Sequence, residues 1–173
     1  MPATAAPART VDYIVPCIRR AIGFAEKLVN DIPAQQFAHM PHPTMNHPAF
    51  CIGHLSLYPN RVFNIIGQPK LIKEKPGYPE LFQAGVACVE QDGRYPHKDE
   101  IVSYFMERYN AVATALASVP DEVLQRENPM EGRMREIFPL VGIAVNFLTN
   151  NHLMMHLGQV SAWRRAVGLG SVM

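Results

Sequence analysis

His152 and His156 lie four residues apart in the segment His152-Leu153-Met154-Met155-His156. On a helix, residues at this spacing project from one face with Cβ atoms roughly 6 Å apart, so both imidazoles can reach one ion without bending the backbone. A third ligand from another helix would lock two helices together, as metal sites in bundle cores do. His54 suits that role, because it falls within a helical apolar pattern beside Phe50 and Leu55. Spacing alone does not choose between a metal site and hydrogen-bonded or partly exposed histidines. The residues between the pair are Leu-Met-Met, so no glutamate stands where a metalloprotease would need its general base.

Other polar residues compete for the same neighbourhood. His47 lies seven residues before His54 on the same helical face, and reads either as a partner or rival of the ligands or as a helix-start residue. Cys51, three residues before His54, could add a thiolate or simply fill core space. Gln159 falls three residues after His156, placed to bond a ligand or a neighbouring helix. His39, His42 and His97 sit in proline-rich connections and read as surface residues. Met40, Met45, Met130, Met134, Met154 and Met155 read as an adaptable apolar lining or as core filling.

Four helical segments position these groups. Ile18, Ile22, Ala25, Leu28, Val29 and Ile32 recur at helical spacing in a first helix from about Val11 to Ile32. A second starts at Asn46 as N-cap and runs to Gly67, with a kink or break at Pro59. The third starts at Asp99 as N-cap, buries Ile101, Phe105, Tyr109, Val112 and Leu116, and stops at Pro120. The fourth opens with Pro139 in its first position and runs to Val167, with Gly168 as terminator. A long connection from Gln68 to Lys98 joins the second and third, with a short helical piece around Leu81 to Val89. No strand pattern appears, and the fold class is an all-α four-helix bundle with a long crossover between helices 2 and 3.

The 173 residues suit one domain over residues 11–173 behind a mobile tail at residues 1–10, an opening with neither the basic nor the apolar region of a signal peptide. A formal net charge of +1 gives no electrostatic reason to expect nucleic acid or an anionic membrane as partner. Residues 137–163 carry no Asp, Glu, Lys or Arg, but Asn146, Thr149, Asn150, Asn151, His152, His156 and Gln159 interrupt them, so a buried helix is expected rather than a membrane span. Its polar residues then need partners. Cys17, Cys51 and Cys88 are odd in number and far apart, which points to a reducing, cytoplasmic compartment.

The segment His152-Leu-Met-Met-His156-Leu-Gly158-Gln159, followed by Val160, Trp163-Arg164-Arg165 and Gly168, resembles the last helix of the DinB-like family of metal-dependent proteins. Gly53-His54-Leu55 resembles the corresponding element of that family's second helix. Asn46-His47-Pro48, Tyr95-Pro96 and Phe138-Pro139-Leu140-Val141-Gly142 fit its layout, and the likeness runs from Val11 to Gly168. Pro59 departs from the pattern. The resemblance implies a bundle that is often a homodimer, with one divalent ion per chain, nickel or zinc foremost and iron next. It implies His54, His152 and His156 as ligands, with coordination positions left open for water or substrate. Three protein ligands with an open position mark a catalytic ion more than a structural one. It further implies a low-molecular-weight thiol partner and a metal-dependent thiol S-transferase or hydrolase. A non-catalytic metal-binding or stress-response protein would use the same ligands.

Overall fold

The structure, a computed structural model, describes residues 8–172. Most of the tail expected at residues 1–10 lies outside the described residues. The elements are α1 (Val11–Asn30), α2 (Pro48–Ser56), α3 (Tyr58–Ile65), α4 (Tyr78–Phe82), α5 (Lys98–Leu116), α6 (Asp121–Leu124), α7 (Arg133–Ile137), α8 (Val141–Asn146), a π-helical turn (Phe147–Asn151) and α9 (His152–Ala166). Among the described residues the sole β pairing is an isolated bridge between Glu127 and Leu140. The protein is an all-α bundle.

The packing follows from which faces are apolar. Helix α1 turns Val11, Ile14, Val15, Ile18, Ala21, Ile22, Ala25, Leu28 and Val29 inward at intervals of three and four residues. Helix α2 is buried all round, every residue from Pro48 to Ser56. It packs against α5 and α9, and α1 packs against the same two helices, which closes a ring of contacts. Burial of each large side chain in this core contributes about 1.5–3 kcal/mol. Hydroxyls on the buried faces bond back along their own helices, Ser56 to the Ile52 carbonyl at 2.7 Å and Thr149 to the Val145 carbonyl at 2.8 Å.

Arg164, 1% exposed, ties the end of α9 to the end of α1. Its guanidinium donates to the Leu28 carbonyl at 2.8 Å and grips both carboxylate oxygens of Asp31. The arginine lowers the Asp31 pKa through these hydrogen bonds. Gly168, at φ +83°, reverses the chain so that the Leu169 N–H reaches the Arg164 carbonyl at 2.9 Å.

Three helix starts differ from the sequence reading. Helix α2 begins at Pro48, capped by His47 rather than Asn46. The His47 Nδ1 accepts the Phe50 N–H at 3.1 Å, as a capping carboxamide would. Helix α5 begins at Lys98, with His97 rather than Asp99 as cap; its Nδ1 accepts the Asp99 N–H at 3.4 Å. The fourth helical run begins at Val141, not Pro139, because residues 139–141 are held by main-chain bonds to the preceding connection. The Asn128 N–H donates to the Pro139 carbonyl and the Val141 N–H to the Arg126 carbonyl, each at 2.9 Å. The short helix of the long connection lies at Tyr78–Phe82, upstream of the Leu81–Val89 expected.

The break at Pro59 is present and confined to Leu57. Proline cannot donate to the Leu55 carbonyl, so the end of α2 tightens, with the Leu57 N–H reaching the His54 carbonyl at 3.2 Å. Leu57 keeps right-handed helical angles, φ −77° and ψ −24°. Helices α2 and α3 are therefore separated by a single right-handed residue.

Candidate metal centre

His54 from α2 and His152 and His156 from α9 meet inside the bundle, each less than a tenth exposed. They converge through their ε nitrogens. The His152 Nε2 stands 3.3 Å from the His54 Nε2 and 3.2 Å from the His156 Nε2. All three atoms lie within 4.8 Å of one another. A tetrahedral site with metal–nitrogen bonds of about 2.05 Å has its nitrogens roughly 3.3 Å apart.

Hydrogen bonds on the far side of two rings decide which nitrogens face the centre with lone pairs. The His54 Nδ1 lies 2.7 Å from the Phe82 carbonyl oxygen, which can only accept, so Nδ1 carries the proton. The His156 Nδ1 donates to the Gln159 Oε1 at 2.9 Å. The Cys51 thiol at 3.4 Å and the Asn46 amide at 3.5 Å also point at that oxygen. His54 and His156 thus present bare Nε2 atoms to His152. A proton on the His152 Nε2 could serve only one of them well, and the His152 Nδ1 is buried without a partner. A cation among the three nitrogens would meet every lone pair, and this is how the donor set fits an ion.

Burial lowers the pKa of all three histidines. His54 is lowered further by His156 and Arg61 and is partly restored by its bond to Phe82. His152 falls to about 3, through burial first and then through His156, His54 and Arg61. The bond to Gln159 offsets part of the shift at His156. The rings are therefore neutral at physiological pH, as ligation requires.

Local sequence explains the placement. A Cβ on Gly53 would stand 2.6 Å from the Phe82 ring, so glycine there lets α4 lie close enough for the Phe82 carbonyl to meet His54. The π turn directly before His152 adds a residue to its helical turn, a device frequent at functional sites. Residues 18–160 match the family model described as DinB superfamily. The chain belongs to the DinB superfamily. No curated protein matches it.

For this DinB-superfamily chain, the other candidates sort clearly. Gln159 touches His156. His47 stands apart from the cluster, capping α2 while its Nε2–H donates to the Val89 carbonyl at 2.9 Å. Cys51 is fully buried, which pushes its thiol pKa far up, and the protonated sulfur bonds Gln159. His39, His42 and His97 are exposed. Met154 and Met155 are exposed on the outer face of α9 and do not line the centre. Tyr58 and Arg61 were not anticipated. The Tyr58 ring lies 4.1 Å from that of His152 and 4.9 Å from that of His54, between centroids. The Arg61 guanidinium covers Tyr58 at 4.7 Å. The signal was present, since Tyr58 and Arg61 follow His54 by four and seven residues on one helical face.

Proposed function

We propose that His54, His152 and His156 hold one divalent transition metal ion per chain, nickel or zinc first and iron next, in a metal-dependent thiol transferase. The convergence of three ε nitrogens, two of them fixed as lone-pair donors from behind, carries this reading. When bound, the ion would supply Lewis acidity that lowers the pKa of a thiol at its open position. The chain's own part is to hold three neutral imidazoles. These leave the charge of the ion uncompensated, unlike carboxylate or thiolate ligands. Buried α2 and the buried face of α9 keep bulk water from the far side of the rings. No protein nucleophile is required.

The test loads the protein with cobalt or nickel and adds a panel of small thiols. Support is a sulfur-to-metal charge-transfer band together with thiol alkylation faster than with His54→Ala. Neither signal with any thiol would remove the transferase reading and leave metal–water chemistry, including hydrolysis, or a non-catalytic role.

One observation favours a non-catalytic metal-binding or stress-response protein as the second reading. The histidines are closely packed, and cavities of about 320 and 200 Å³ lie elsewhere, beside Lys73 and Glu107 and beside Phe37 and Lys98. A charge-transfer band without faster alkylation would decide for it.

The proposal includes a homodimer in a reducing, cytoplasmic setting. Ile143 and Met154 are exposed along one helical run, with Leu140 just before its start and Ile137 nearby in sequence, and suit a second copy. All three cysteines are free. No described helix is long and apolar enough to cross a membrane. Light scattering that returned monomer mass across a wide concentration range would end the dimer proposal.

A further inference from the structure

Arg61 is a cation set where a cation is unwelcome. It belongs to α3, one residue beyond the helix that carries His54, and its guanidinium lies over the Tyr58 ring, which packs against His54 and His152. It is exposed and forms no hydrogen bond or ion pair among the described residues. With the three rings neutral, the charged side chain acting on His54 and His152 is Arg61, and no carboxylate accompanies it among the described residues. An ion held by three neutral imidazoles would place further positive charge beside this guanidinium. A cation–π contact at an exposed site contributes only about 0.5–1 kcal/mol, so the guanidinium remains available to an anion. An anionic group between the two centres would satisfy both. A planar guanidinium presents two parallel N–H donors that match a carboxylate.

We infer that Arg61 binds a carboxylate carried by the molecule that takes the open position of the three-histidine centre, with the Tyr58 ring as the platform that holds the guanidinium. The substrate class is then a small carboxylate-bearing thiol rather than a neutral one. This inference rests on the metal-centre reading above, and its test separates the two. The cobalt form of the full chain is titrated with 3-mercaptopropionate and with 2-mercaptoethanol, with the charge-transfer band as readout, in wild type, Arg61→Gln and Arg61→Lys. Wild type is expected to prefer the carboxylate thiol by about tenfold or more, the scale of one charge-assisted pair. Arg61→Gln should hold as much cobalt as wild type yet lose most of that preference, and Arg61→Lys should fall between them. An unchanged preference in Arg61→Gln overturns the inference and leaves the metal centre standing. If wild type retains no cobalt, the metal reading fails and a metal-free arm decides for Arg61. Propionate should then shift the Arg61 guanidinium and Tyr58 ring NMR signals in wild type, and the Tyr58 signals should stay still in Arg61→Gln. No shift in wild type would overturn the inference in that arm.

Discussion

His47 and His54 stand two turns apart on one helical face, and each donates a ring N–H to a main-chain carbonyl of the same connection. His54 reaches Phe82 at 2.7 Å and His47 reaches Val89 at 2.9 Å. The two bonds have different outcomes for the opposite nitrogen. In His54 it faces the candidate metal centre, and in His47 it caps the helix.

Replacement of a converging histidine removes one of three donors. Wild type is expected to carry about one metal ion per chain and His156→Ala to lose it. Elemental analysis of both proteins, purified side by side without chelator, checks this. Equal metal in the two would refute the assignment.

Gln159 orients His156 from behind. Gln159→Leu should keep the fold and weaken metal affinity by roughly 10–100-fold, the usual effect of losing such a support. Competition against a chromophoric chelator measures the change. Affinity within twofold of wild type would show that the bond at 2.9 Å does not matter to the ion.

Gly53→Ala would place a methyl group against the Phe82 ring, which is fully buried and has no free direction in which to move. The expected loss of stability is about 1–3 kcal/mol. Metal affinity should fall with it, because α4 must shift away from His54. Denaturant unfolding and metal competition on one preparation report both quantities, and a loss of stability with unchanged affinity would uncouple them.

His47 gives a pH dependence with a definite sign. Burial holds its folded pKa below the ordinary 6.5, partly offset by the Val89 carbonyl. Below that value the unfolded chain takes up a proton that the folded chain refuses, so the stability contribution is present above about pH 6.5 and lost as pH falls. Protonation of Nδ1 would also expel the Phe50 N–H from the cap. In metal-free protein, stability should therefore drop between pH 7.5 and 5.5, and less in His47→Asn, whose amide can cap but does not titrate. Equal drops in the two proteins would assign the acid sensitivity to other groups.

Much of this arrangement can be read from residue spacing. Four-residue steps put His152, His156 and the nearby Gln159 on one face, and apolar periodicity buries His54 on another helix. The DinB resemblance joined the two. The Phe82 carbonyl was not legible, because a main-chain acceptor has no residue signature. The π turn was hidden too, since Phe-Leu-Thr-Asn-Asn continues the helical pattern without a break. The helix starts moved because histidine nitrogens capped α2 and α5 where Asn and Asp were expected, and because residues 139–141 pair with the preceding chain. Tyr58 and Arg61 were missed because Pro59 draws attention to a break that spans a single residue.

With an ion at the proposed centre, the bond from His54 to Phe82 would make the long connection a participant in ligand exchange. A ring turned toward an ion from one side and toward a loop carbonyl from the other transmits order in both directions. Reciprocity then requires that whatever loosens residues 78–89 raises the dissociation constant of the ion, and that removal of the ion loosens the loop by the same free energy. Limited proteolysis would see this as a cut in the connection that chelator accelerates and added metal slows.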